Sequence, residues 1–306
     1  MPESRGRSFW RRRVFPEFSR SKLSFRVDRY DVLIQPQWFI HPAVWLAIRL
    51  VVAMFVLTWC IVSGVGKNDL RWFIYLSNLA FLLLCMYLVL AAVNLLWYWV
   101  WRIRESSRIG VTFIVMETGE DTSPTRLWQV SLGFQWLLRS LSGDLGIMVA
   151  FTYWAFEYSP ETSTIDGPTV VIHGVNVVVI LAECLLSHTM GRLLHIVYVW
   201  AFIGLYLLFS VIFWLRGGIN LKGHPYIYRA LDYSGDPLRA TVNVLLLVLV
   251  LCPLVHGGLW LLDLVVFLLF RRSPPATEMT QYMISRQVSQ QSGDEVRNCV
   301  QQDKLP

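Results

Sequence analysis

The chain has 306 residues, 55% of them hydrophobic and only 16% charged, with a formal charge of +6 and a mean hydropathy of +0.48. Soluble domains carry about 25% charged residues, and several apolar runs here exceed the ~18 residues that cross a bilayer. A soluble protein is therefore excluded. So is a membrane barrel, because the runs are continuous and do not alternate.

Residues 1–42 form a basic segment. Its first 30 residues hold nine Arg or Lys against three acids, interleaved with Phe9, Trp10, Phe15, Phe18 and Phe25. Beside a membrane domain, that pattern predicts attraction to anionic inner-leaflet lipids, with rings at the headgroups, and no nucleic-acid partner. The blander alternative is that the arginines only set topology. Pro36 and Pro42 keep any one helix from running into the membrane.

The first span is predicted at about 43–65, with Arg49 near its start and placed to snorkel to the headgroups. The second runs at about 71–100. Ser77 and Asn78 lie near its start, Asn94 further along, and Trp97, Tyr98, Trp99 and Trp101 form an interfacial belt. The third, about 130–155, carries Gln135, Arg139, Ser140, Ser142 and Asp144. Arg139 and Asp144 are about 140° apart on a helix, so each is expected to meet a neighbouring helix or lie at the interface.

The fourth span, 169–189, is apolar except for His173, Asn176 and Glu183. At about 100° per residue these three fall within roughly 80° of arc. A polar face in a membrane helix turns towards a bundle interior, a partner or a water-filled cavity. It serves either as packing glue or as a site. The fifth span is about 193–215, with His195 and Tyr198 on one face. The loop 216–239 contains Pro225-Tyr-Ile-Tyr-Arg-Ala-Leu-Asp-Tyr233, whose aromatic content predicts a segment on the surface or folded into the mouth of the bundle. The sixth span, about 240–270, contains Pro253 and sets His256 and Asp263 on one face.

Residues 272–306 are a Ser/Gln-rich tail expected to be disordered. The expected architecture is thus all-α, a polytopic membrane protein with a bundle of six transmembrane helices at 43–271. Bases cluster with the N-terminus, 102–108 and Arg271–Arg272, whereas the loop 156–168 is wholly acidic. The positive-inside rule then predicts both termini in the cytoplasm. Cys60, Cys85, Cys184, Cys252 and Cys299 show no disulfide or metal spacing. No residue pattern calls for a cofactor or a metal, and membrane lipids are the expected partners.

The runs Phe73-Ile-Tyr-Leu-Ser-Asn78, His173-Gly-Val-Asn176, Arg192-Leu-Leu-His-Ile-Val-Tyr198, Tyr206-Leu-Leu-Phe209 and Ile227-Tyr-Arg-Ala-Leu-Asp232 resemble the rolling stone family over roughly 35–272. Arg229 departs from the Pro expected after Tyr228. The family is associated with myoblast fusion, so the resemblance implies a role in cell–cell fusion or muscle development. The chain is also similar, more distantly, to the androgen-induced hydrolases. Those are six-span proteins that cleave fatty acid esters of hydroxy fatty acids with an intramembrane Thr and a His. Tyr75-Leu76-Ser77 matches the aromatic-Leu-Thr motif, with Ser for Thr. His173-Gly174-Val175 matches the triplet that precedes the family's His, but Asn176 stands in the His position. Asn cannot accept the proton that a hydroxyl nucleophile must lose, although it could orient a carbonyl. The resemblance implies a lipid hydrolase with Ser77 as nucleophile and His173 or Glu183 as base. The plainer roles are helix packing for Ser77 and an interfacial ring for His173.

Overall fold

A computed structural model describes residues 14–25, 31–38, 40–67, 69–109, 125–161 and 165–270. Among these, six long helices dominate: α1 (Pro42–Lys67), α2 (Leu76–Ile109), α3 (Arg126–Thr152), α4 (Gly167–Leu186), α5 (Leu193–Leu215) and α6 (Pro237–Leu269). Five of them are long and apolar enough to cross a membrane; α3, which carries Arg139 and Asp144, falls short on apolarity. Residues 1–267 form one compact unit, and of the second, Leu268–Pro306, only residues 268–270 are described. Cys299, the Ser/Gln tail and most of the basic N-terminal run lie outside the described residues.

The centre of the bundle is α2 against α3. Fifty-six per cent of the apolar stretch of α2 is buried, against 11% for α6. The α3 residues Leu132, Leu138, Leu145 and Met148 are all within 2% of complete burial. Polar side chains cross-link this pair. Ser131 Oγ donates to Asn94 Oδ1, Asn94 Nδ2 donates to Gln135 Oε1 (both 2.8 Å), and Gln135 Nε2 donates to the Leu33 carbonyl (3.2 Å). With no water in a membrane core, a helix this rich in amides and charges survives only where neighbours satisfy it. Its poor apolarity and its central place have the same cause.

Among the described residues, three of these helices run into π turns: Tyr153–Glu157, which continues α3 past Thr152, Val171–Val175 in α4 and Leu247–Leu251 in α6. Such turns are rare and concentrate at functional sites. The second predicted span starts later than expected. Residues 70–74 make a separate 3-10 turn, capped by Asp69, which accepts the Arg71 N–H at 2.8 Å. Gly217, at φ +67°, stops α5, and the Gly218 N–H closes back on the Phe213 carbonyl at 2.9 Å.

The described part of the N-terminal segment folds onto the bundle. Phe25 packs on the rings of His195, Tyr198 and Trp136, and Tyr198 donates to the Leu23 carbonyl at 2.8 Å. Residues 35–37 pair with 186–188 through Gln37 N–H to Leu186 O and His188 N–H to Gln35 O.

Candidate functional site

A cavity of about 350 Å³ lies among α2, α3, α4, α5, α6 and the 216–239 loop, and Ser77 and His173 both line it. Ser77 enters at the start of α2, where the first backbone N–H groups of a helix have no partner in the helix itself. Its N–H donates to the Tyr228 phenol oxygen at 3.2 Å, and its Oγ lies 3.4 Å from the same oxygen. Tyr228 comes from the aromatic loop, which is folded into the mouth: Ile227 and Leu231 are buried beside it. Burial pushes the Tyr228 phenol up to about 12, so at neutral pH it is a protonated donor.

His173 sits in the π turn of α4. Its ring stacks on Tyr153 at 3.8 Å with the planes 3° apart, and its carbonyl accepts from Trp154 Nε1 at 3.0 Å. His173 Nδ1 is buried and has no hydrogen-bond partner among the described residues. Two of the three wide turns thus meet at this histidine, one carrying it and one stacking on it.

The other two residues expected at the site are elsewhere. Asn176 is 1% exposed, donates to the Ile172 carbonyl at 3.2 Å, and faces Gly146 of α3. It does not line the cavity. Glu183 pairs with Arg49, whose Nη1 reaches both carboxylate oxygens at 2.6 and 2.7 Å, and it accepts from Tyr87 at 2.8 Å. Arg49 therefore does not snorkel. It is 3% exposed, lies 4.4 Å over the Trp45 ring, and is held inside by the Glu183 carboxylate. The fourth helix does turn His173 and Asn176 inward. Glu183 also turns inward, but it lies ten residues along the helix from His173, about 15 Å, and so meets Arg49 and Tyr87 at another level of the bundle.

A second polar cluster surrounds a space of about 40 Å³, room for a water molecule or so. Arg139 Nη2 donates to Asp263 at 2.8 and 3.0 Å, and the Gly191 N–H donates to the same carboxylate at 2.8 Å. His256 Nδ1 lies 2.7 Å from Asp144, and its Nε2 lies 3.1 Å from the carbonyls of Arg192 and Leu193. Arg139 and Asp144 thus each meet α6, the first of the two expected outcomes. Each ring nitrogen of His256 faces an acceptor, so the group is fully engaged in holding α3, α5 and α6 together. This cluster is a clasp. The cavity with Ser77 and His173 is the place open to a ligand.

Comparison with known proteins gives the family. The family model described as Protein rolling stone matches residues 9–273. The chain belongs to the rolling stone family. A curated member of that family, Protein rolling stone of Drosophila melanogaster, is 26% identical over 242 residues, covering 77% of this chain and 84% of the relative. No solved structure matches the chain. The match spans α1 to α6, so the family and the integral-membrane character rest on the same stretch of sequence.

Proposed function

We propose that this chain is a six-span membrane protein with both termini in the cytoplasm, and that it hydrolyses an ester-bearing lipid in the cavity between α2 and α4. One observation carries the reading: Ser77, the nucleophile expected from sequence, and His173, one of its two expected bases, line the same cavity. Ser77 Oγ attacks the ester carbonyl carbon and passes its proton to His173. The Tyr228 hydroxyl and the start of α2 stabilise the negative charge that develops on the carbonyl oxygen. The carbon–oxygen bond to the alcohol then breaks, and the alcohol leaves with the proton from His173. Water repeats the sequence in reverse order, releasing the acid and restoring Ser77. Glu183, engaged by Arg49, takes no part, and Asn176 supports the packing of α3 on α4.

An alkyl fluorophosphonate tests this directly. Labelling of the membrane-embedded protein is expected, with loss in Ser77→Ala and at least a tenfold slowing in His173→Ala. An unlabelled protein, or equal labelling of Ser77→Ala, would remove the hydrolase reading. Topology is tested separately by tag accessibility, with both termini and the 103–125 loop expected on the cytoplasmic side and the 156–168 loop on the other.

Family membership over residues 9–273 favours a second reading, a role in cell–cell fusion, with the basic N-terminal segment engaging anionic inner-leaflet lipid. Disruption of the gene in a muscle-forming tissue should reduce multinucleation; normal myotubes in a clean knockout would count against it.

A further inference from the structure

The walls of the cavity that hold Ser77 and His173 are incomplete on one side. Phe151 and Phe156 at the end of α3 line it, and so do Leu246, Val250 and Leu254 of α6. All five are also exposed on the outside of the bundle, at 46–67% of their surface. The cavity therefore opens between α3 and α6, and in a membrane that side faces acyl chains. A π turn stands at each edge of the gap, Tyr153–Glu157 on one and Leu247–Leu251 on the other.

The polar wall is selective in its charge. Thr152, Tyr206 and Asn243 already donate to the carbonyls of Met148, Ile74 and Ala230, and Tyr228 is paired with Ser77. Glu157 is the one charged side chain among the lining residues, which include no Lys or Arg. Lys222 and Arg229 lie close enough to Glu157 to act on its charge, but neither lines the cavity. A carboxylate or phosphate headgroup drawn inside would lose its hydration, meet Glu157, and find no cation among the lining residues to offset that loss.

We infer that the gap between α3 and α6 is a lateral doorway through which an uncharged ester of a fatty acid enters from the bilayer, with its chain in the doorway and its ester at Ser77. The inference rests on the reading that the cavity holds a lipid. It departs from the charged hydroxy-fatty-acid esters that the resemblance to the androgen-induced hydrolases implied. The ligand size suits the space, since small-molecule sites run from about 300 to 1,000 Å³.

Photo-cross-linking of the full chain in nanodiscs tests it with two probes sharing one diazirine–alkyne chain. One is an ether-linked monoalkylglycerol, which cannot be cleaved; the other is the free fatty acid. The glycerol probe is expected to label peptides of α3 and α6 at least fivefold more than the fatty acid. Val250→Trp and, independently, Leu246→Trp should cut that labelling at least fivefold. Leu208→Trp, on an exposed face of α5 away from the cavity, should leave it unchanged, with each variant confirmed monodisperse. Equal or stronger labelling by the fatty acid would overturn the charge selection. Unchanged labelling in both doorway variants would overturn the doorway. No labelling of cavity peptides by either probe would overturn both. Cross-linking that persists in a protein with no fluorophosphonate reactivity would sustain the doorway while the hydrolase reading falls.

Discussion

Tyr228 reaches across 151 residues of sequence to place its phenol oxygen 3.2 Å from the Ser77 backbone nitrogen and 3.4 Å from its hydroxyl. The loop that carries Tyr228 thereby lines the cavity and fixes the start of α2. Tyr228→Phe keeps the ring and removes the oxygen. Loss of a donor at a site of developing charge costs roughly 10²-fold in rate, so fluorophosphonate labelling of Ser77 should slow by about that factor. Thermal stability should fall only by about 1 kcal/mol, the worth of an ordinary hydrogen bond. A labelling rate equal to that of the parent would show that the phenol is only a cap.

Arg49 and Glu183 are expected to behave as a unit. Removing one partner of a buried ion pair strands the other charge and costs about 3–5 kcal/mol, whereas replacing both with apolar groups is often nearly neutral. Arg49→Met and Glu183→Leu should each lower stability in detergent by about that amount. The double substitution should recover most of the loss. Additive losses in the double variant would mean that the two side chains act apart.

Gly146 of α3 packs directly against α4. A Cβ there would run into Ile180 Cδ1 and come within 3.1 Å of the Asn176 amide. Gly146→Ala is expected to cost about 1–3 kcal/mol through overpacking. Ile180→Val, which deletes the obstructing methyl, should return part of it. Thermal unfolding of the two variants and their combination decides the matter, and an Ala variant as stable as the parent would mean that the helices shift apart freely.

Asp69 supplies the pH dependence. Its carboxylate accepts the side chain and the backbone N–H of Arg71, and these bonds hold it below the ordinary 3.8. A depressed carboxylate stabilises the fold above its unfolded value and stops doing so as pH falls through its folded value. Asp69→Asn should therefore melt below the parent at pH 7, and the two curves should converge as the pH is lowered past 3.8. A difference that persisted at pH 2 would rule out ionisation as its source.

The sequence carried five apolar spans, because apolar length is read directly, and it carried the inward turn of His173, Asn176 and Glu183, because a polar residue amid Val and Ile has nowhere else to go. It also carried the engagement of Arg139 and Asp144 with other helices, since their angular separation forbade a local pair. Three features were hidden. Arg49 near a span's start reads as a snorkelling residue, and only its partner 134 residues away reveals otherwise. Tyr228 was one aromatic among several in its loop, and nothing local set it apart as the companion of Ser77. The π turns leave no mark in composition, so a wheel of α4 at a constant 100° per residue does not show the one at Val171–Val175.

That uneven winding bears on how the family should be compared. Each wide turn of α3, α4 and α6 spends five residues where ordinary winding would use about four, so a relative can shed one there without shortening its passage through the bilayer. Alignments that forbid gaps within helices would then slide Phe156, His173 and Val250 out of correspondence with their counterparts. Single-residue deletions at these three places are where divergence among rolling stone proteins should be sought first.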